Sequence, residues 1–355
     1  MRFIGNKENL LEKIFSEINS RDIKGETFFD FFSGTSSVAK FFKKCGYQIF
    51  SSDLLYFSYC LQYAYIKNNS EASFEKILSK NRDYSQDSLN NPMDIIINTL
   101  NKLPITSGFI YENYSQGGTS NLKHSRMYFS DNNAKKIDTI RQKIEEWKQQ
   151  DLLTNSEYFI LLSCLIESVS FFANISGVYG AFLKKWDPRA LKTFSLRPIQ
   201  LVINNKNNEV FNSNSIDLIE KVNVDILYLD PPYNERQYAP NYHILETIAR
   251  YDNPSIKGIT GMRNYTNQKS SFCNKTKGLQ DLKHIVKNAK YKYLLLSYNS
   301  EGIMPQQEIF NILQEYGKTE LVQFKHLRFK SNNKGESVSK KHINEQLYIL
   351  EKKIK

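Results

Sequence analysis

Apolar positions along this chain change their period several times, and each change marks an element. Leu10, Leu11, Ile14, Phe15 and Ile18 recur three and four residues apart, so residues 8–19 read as an amphipathic helix. Thr27-Phe-Phe-Asp-Phe-Phe32 is a short aromatic run ending in Ser33-Gly34-Thr35, the pattern of a buried strand feeding a glycine turn. A helix follows through Val38, Ala39, Phe41 and Phe42 and stops at Gly46. Tyr47 to Ser52 is a second strand ending at Asp53, and residues 54–67 read as another helix. Strand, helix, strand, helix predicts a parallel sheet.

The pattern then shifts. From about 70 to 198 the chain reads as polar helices with few strand signals. Lys135 to Gln150 is a charged amphipathic helix and Tyr158 to Phe172 an apolar one, with a Gly/Ser/Asn-rich stretch, Tyr114 to Ser125, ahead of both. Strand signals return at Val224–Leu229, at Tyr293–Ser297, and in two C-terminal runs, Leu321–Phe329 and Gln346–Glu351. The expectation is one α/β domain, residues 1–69 and 199–355, split by a helical insertion, residues 70–198.

Composition narrows the class. Of 355 residues, 40% are hydrophobic and 13% aromatic, enough for a large core and too many for a disordered or fibrous chain. The longest run without charged or strongly polar groups, Tyr158 to Ile166, falls well short of the roughly 20 residues of a membrane helix. The opening residues MRFIGNKENLLEKI bring acids by position 8, unlike a secretory signal. Cys45, Cys60, Cys164 and Cys273 are too far apart for a zinc cluster or a disulfide framework. Reduced thiols in a cytoplasm and no metal site are therefore expected.

The net charge of +11 is unevenly placed. Residues 1–253 sum to zero, whereas 257–292 hold nine Lys or Arg against Asp281 alone, and 325–341 hold six against Glu336 alone. Such patches suit a polyanion such as nucleic acid. Solvated lysines from a lysine-rich genome would produce the same excess.

Candidate chemistry sits at strand ends. Asp230-Pro231-Pro232-Tyr233 follows an apolar strand directly, and the carboxyl edge of a parallel sheet is where α/β folds bind ligands. The two prolines hold the backbone extended and leave their carbonyls without local partners. In Asp30-Phe-Phe-Ser-Gly34-Thr35, Gly34 permits a tight turn against a ligand. Asp53, at the end of the next strand, can accept both hydroxyls of a ribose. At the start, in Arg2-Phe3-Ile-Gly5-Asn-Lys7, Gly5 permits close approach and Lys7 can meet a carboxylate.

Taken together, these motifs resemble the S-adenosylmethionine-dependent DNA adenine-N6 methyltransferases, the group of the Dam methylase and many restriction-modification methylases. The short Gly/Lys motif, the glycine loop, a recognition insertion and a late DPPY occur here in that family's order and span nearly the whole chain. Where the family commonly carries a second glycine in the loop, this chain has Ser36.

The resemblance implies a Rossmann-like methyltransferase sheet, mostly parallel with a C-terminal antiparallel hairpin. It also implies methyl transfer from S-adenosylmethionine to N6 of an adenine flipped out of duplex DNA. Asp230 and the Pro231 carbonyl would accept the two amino N–H bonds, with Pro232 and Tyr233 completing the site and Tyr233 stacking on the base. Phe3, Gly5, Lys7, Asp30, Gly34, Thr35, Asp53 and Asp230 would surround the cofactor, and Phe32 is either pocket wall or core. An adenine-binding residue is implied shortly before the DPPY strand, with Asn214 the first candidate and Asp217 the second.

DNA contacts are expected from Arg126, as a reader of a guanine edge, and from Lys184 and Lys185 beside aromatics. Arg263, Lys269, Lys275 and Lys277 are expected in a mobile basic loop that grips phosphates. A monomer with a cognate restriction endonuclease as companion is expected, with no membrane association. RNA adenine and cytosine amino groups are the alternative substrates.

Overall fold

A computed structural model of the chain describes residues 3–80, 91–220, 223–327 and 342–353. The chain divides into two compact units: Gly5–Gln62, Asn204–Tyr238 and Thr266–Lys355 form one, and Met1–Ile4, Tyr63–Ile203 and Ala239–Tyr265 the other.

The first unit is built on seven strands. They are β1 (Thr27–Asp30), β2 (Gln48–Asp53), β3 (Glu209–Asn212), β4 (Asn223–Leu229), β7 (Lys290–Asn299), β8 (Gly317–Leu327) and β9 (His342–Lys352). Their order in the sheet is β3-β2-β1-β4-β7-β9-β8. The first five run parallel, and β9 pairs antiparallel with both β7 and β8, forming the C-terminal hairpin. The expected sheet and hairpin are therefore present. The run expected over Leu321–Phe329 is covered by β8 as far as Leu327; residues 328 and 329 lie outside the described residues, as do the basic side chains of 325–341.

Alternation in β1 sends its two phenylalanines to opposite faces. Phe28 stacks on Phe42 of α2 (Ser37–Lys44), ring centroids 4.0 Å apart. Phe29 joins the larger core with Leu227, Leu229, Leu294, Leu296 and Ile285. Helices α1 (Leu11–Ser20), α2, α3 (Tyr56–Gln62), α10 (Lys275–Asn288) and α11 (Gln306–Gln314) belong to this unit. Strand β3 carries no strong pattern of its own; its four residues complete the sheet edge by pairing with β2, Asp53 against Asn212.

The second unit is helical: α4 (Glu75–Lys80), α5 (Pro92–Lys102), α6 (Phe109–Tyr114), α7 (Asp131–Gln149) and α8 (Asn155–Val169). Helix α8 starts on a full capping box, Thr154 with Glu157, and is buried along most of its length. The unit also takes in most of α9 (Tyr238–Arg250) and a small antiparallel pair, β5 (Ile256–Lys257) with β6 (Met262–Arg263). Residues 239–265, expected with the sheet, thus pack with the helices instead. All four cysteines are free thiols, and among the described residues no helix is long and apolar enough to cross a membrane.

Candidate active site

Three acids reach one edge of the sheet because three neighbouring parallel strands end there. Asp30 closes β1 and Asp53 closes β2, while Asp230 directly follows β4. Asp30 pairs in register with Ser51 on one side and Tyr228 on the other, so Asp53 and Asp230 each lie two residues further along a flanking strand. Crowding and burial shift the titration of Asp30 and Asp230. Burial pushes the Asp30 carboxyl up to about 7, with the charge of Asp230 adding to it. Asp30 Oδ2 accepts the Ala39 N–H, at 3.2 Å, while Oδ1 is buried without a hydrogen-bond partner.

Asp53 shapes the glycine turn from below. Its two oxygens accept the N–H groups of Gly34 and Leu55, each at 2.8 Å. Gly34 has φ +51°, and its carbonyl accepts the Ser58 hydroxyl. Ser36 has φ +61°. This is the left-handed region, which disfavours a side chain by about 1–2 kcal/mol, and it explains why a glycine would suit the position. The Ser36 N–H bonds back to Ser33 O at 2.7 Å, closing the turn ahead of α2. Thr35 is buried, with its hydroxyl 3.4 Å from that of Ser37.

Beyond β4, Pro231 and Pro232 are buried and Tyr233 is half-buried. The Tyr233 carbonyl accepts the Ile303 N–H at 2.9 Å, anchoring the far end of the motif. Gly5 has φ +78°, and a Cβ there would come within 3.2 Å of the Tyr238 hydroxyl and 3.8 Å of the Tyr233 ring. Close approach thus requires glycine at position 5. Two residues on, the ammonium of Lys7 lies 3.3 Å from Asp230 Oδ1 and 3.0 Å from Glu345 Oε2. Burial alone would lower the pKa of Lys7, but the two carboxylates overcome it and the net shift is upward. Burial raises Asp230 to about 6 against the pull of Lys7, and Glu345 adds to the rise. Glu345 escaped the sequence reading: it sits in a polar stretch ahead of the last strand run, and only the pairing of β9 with β7 brings it here.

The remaining candidates divide. Phe32 packs edge-on against Phe31 and Phe272, which makes it core. Phe3 belongs to the helical unit and stacks on Tyr242, centroids 4.4 Å apart, while Tyr242 Oη accepts the Ile4 N–H. Asn214 caps the short turn Ser215–Leu218 by accepting the Ile216 N–H at 3.3 Å, and Asp217 is exposed. Lys184, Lys185, Lys269 and Lys277 are exposed.

Two of the expected DNA contacts are corrected. Arg126 is 8% exposed, and its guanidinium donates to three carbonyls, Ile259, Asn113 and Gly258, at 3.0, 3.0 and 3.1 Å. A Cβ on Gly261 would strike it at 3.0 Å. Arg126 is buried and holds the β5–β6 turn, so its guanidinium is engaged within the protein. Arg263 is also buried and makes a two-pronged bond to Asp252, at 2.7 and 3.0 Å.

Nor is 257–292 a loop. It contains β6, two short 3-10 turns, all of α10 and the start of β7. Its charges find acids from outside the segment: Lys275 pairs with Glu308, Lys283 with Glu315 and Lys292 with Asp225.

A parallel sheet closed by an antiparallel C-terminal hairpin, with acids at the ends of its central strands beside an Asp-Pro-Pro-Tyr corner, is the Rossmann-like fold of the methyltransferases. The chain belongs to the D12 class N6 adenine-specific DNA methyltransferase family, whose model matches residues 3–312. The modification methylase StsI of Streptococcus sanguinis is 39% identical over 354 residues, 99% of this chain and 52% of that protein. The type II methyltransferase M.FokI of Planomicrobium okeanokoites is 40% identical over 359 residues, 100% of this chain and 53% of that protein. This chain therefore spans about half the length of those two relatives. Against the type II methyltransferase M.NlaIII of Neisseria lactamica it is 37% identical, with 99% of both chains covered.

Proposed function

We propose that this protein methylates N6 of adenine in duplex DNA as the modification enzyme of a restriction-modification system. The observation that carries the reading is the Asp230–Tyr233 corner at the carboxyl end of β4, with Lys7 bound to Asp230. S-adenosylmethionine is the proposed methyl donor, supplying an electrophilic methyl group on a sulfonium. The residues fit it: Asp30 Oδ1 is a buried acceptor with no partner, and a cation beside it would relieve the crowding of negative charge. Asp53 is fixed by two backbone N–H groups and is the acceptor proposed for the ribose hydroxyls. Gly34 and Thr35 form the wall of the turn, and Asn214 can donate its amide hydrogens to an adenine ring.

The chain's own residues supply orientation rather than a covalent intermediate. The adenine amino nitrogen is a weak nucleophile because its lone pair is delocalised into the ring. With Asp230 and the Pro231 carbonyl accepting its two N–H bonds, the nitrogen turns pyramidal and its lone pair points toward the methyl group. Tyr233 stacks on the extruded base and recovers about 1–3 kcal/mol of the stacking lost from the duplex. The helical unit, with exposed Lys184 and Lys185, is proposed to hold the duplex through its phosphates.

Transfer of a tritiated methyl group to DNA and RNA of matched sequence, followed by identification of the modified base, tests the reading. N6-methyladenine in DNA alone supports it; label in RNA or on cytosine overturns it. Calorimetric titration with S-adenosylmethionine tests the cofactor site. Asp53→Ala should weaken binding at least ten-fold, since each lost bond to an ionised acceptor is worth about 1.5–3 kcal/mol.

A further inference from the structure

Lys7 does not serve Asp230 alone. Its ammonium is closer to Glu345 than to Asp230, 3.0 against 3.3 Å. Lys7 is 4% exposed and Glu345 7%. Glu345 is itself pinned: its other oxygen accepts from Asn299 Nδ2 at 3.1 Å. The two residues face each other in register across β7 and β9. Asn299 is fixed in turn, because its Oδ1 accepts the Glu301 N–H at 2.8 Å. The result is a cluster of one buried cation, one buried carboxylate and the half-buried Asp230, with a net charge of −1 when all three are ionised.

We propose that Glu345 is a positioning residue for methyl transfer, sharing the Lys7 ammonium with Asp230 so that Asp230 meets the substrate amino group as a strong acceptor in a negatively charged cluster. This rests on the methyltransferase reading above and names a residue that the reading does not use. A Lys7–Asp230 pair by itself would be neutral, and its ammonium would compete with the substrate N–H for the carboxylate. Adding Glu345 divides the ammonium between two carboxylates and leaves one negative charge unbalanced. As the amino nitrogen attacks, its lone pair forms the N–C bond, the S–C electron pair passes to sulfur, and positive charge builds on nitrogen. The nitrogen then loses one proton to solvent. A cluster of charge −1 beside it favours that charge build-up, whereas a neutral one does not.

The other groups that act on Asp230 or share its surroundings are Asp30 from β1, Tyr228 from β4, and Tyr233 with Glu301 beyond it. The positive charge among them is that of Lys7. Removing the Glu345 charge therefore leaves Lys7 acting on Asp230 undivided, and the Asp230 pKa must fall.

The test compares wild type, Glu345→Gln and Glu345→Asp. For Glu345→Gln, kcat on DNA should fall about 10- to 100-fold, as is usual when a supporting contact to a reacting group is lost. KM for DNA and for S-adenosylmethionine should stay within about three-fold of wild type, because the cluster acts on the transition state. The acid limb of the kcat–pH profile should move down by about one pH unit. Glu345→Asp keeps the charge and should hold the limb within a few tenths of wild type.

Carbon-13 NMR titration of the Asp230 carboxyl without cofactor gives a readout independent of turnover. A downward shift in Glu345→Gln supports the electrostatic role even if methyl transfer to DNA proves absent, in which case it is the reading of function that fails. An unmoved Asp230 titration, or a loss confined to KM, overturns the proposal. If Glu345→Gln does not fold, Asn299→Ala unpins Glu345 while keeping every charge; kcat should then fall by a smaller factor, and an unchanged kcat overturns the proposal.

Discussion

Both units bury charge, and they treat it differently. In the helical unit, Arg126 gives its guanidinium to three carbonyls. Arg141 meets Ile248 O, Ala249 O, Glu145 and the Tyr158 hydroxyl. Asp138 accepts the N–H groups of Ile110 and Tyr111 and the Tyr251 hydroxyl. Each replaces its lost water with fixed partners, which is what burying a charge for structural purposes requires. At the sheet edge the charges are left wanting. Asp30 has a bare oxygen, and one ammonium is divided between two carboxylates. Unfinished satisfaction of this kind is the physical ground for the ligand site proposed there.

This contrast can be broken by experiment. Asp230→Ala should abolish most methyl transfer, by at least about 30-fold for the roughly 2–4 kcal/mol that a bond to a reacting group supplies. Its melting temperature should hold or rise, because an acid whose charged form is disfavoured in the folded protein is removed. A variant that melts early and still turns over would place Asp230 with the structural charges.

Arg126→Met should do the reverse. Three carbonyls lose their charged donor and its buried stem is replaced, so stability should drop by about 1–3 kcal/mol. Whatever protein remains folded should methylate the same sites. A relaxed site preference in a fully stable variant would return Arg126 to base reading.

The pH dependence of stability sharpens the comparison further. The folded-state value of Asp30, about 7, stands above the roughly 3.9 of an unfolded carboxylate. Between those values the folded state binds more protons than the unfolded one. Its contribution to stability is thus complete below about pH 4 and lost as pH rises through about 7. Cofactor-free protein should melt several degrees lower near pH 8 than near pH 5, and Asp30→Asn should flatten that slope. An equal slope in both proteins would show that Asp30 is already satisfied.

The smallest expected effect is at Ser36. Ser36→Gly relieves a left-handed φ of +61°, against the greater freedom of glycine in the unfolded chain, for a net gain of up to about 1 kcal/mol. Chemical denaturation measures it, and a loss of stability would mean that the hydroxyl contact with Ser33 outweighs the strain.

Much of the active-site edge could be read from the chain itself. Asp30, Asp53 and Asp230 each end an apolar run, and a parallel sheet delivers the ends of neighbouring strands to one edge. Local pattern therefore sufficed for the three acids, the glycine turn and the proline corner, along with the parallel sheet that aligns them. The short strand β3 was missed because its four residues owe their conformation to pairing with β2. The long-range partners were decided only by folding. Lys7 and Glu345 are 338 residues apart, and Arg126 reaches carbonyls 132 and 133 residues away. In a basic segment that looks unpaired along the chain, Lys275, Lys283 and Lys292 meet acids that other elements bring to them. Periodicity reports which face of an element is buried. It carries no record of which distant charge lies opposite, because Coulomb pairing and donor–acceptor matching depend on distances that exist only after the strands have been ordered.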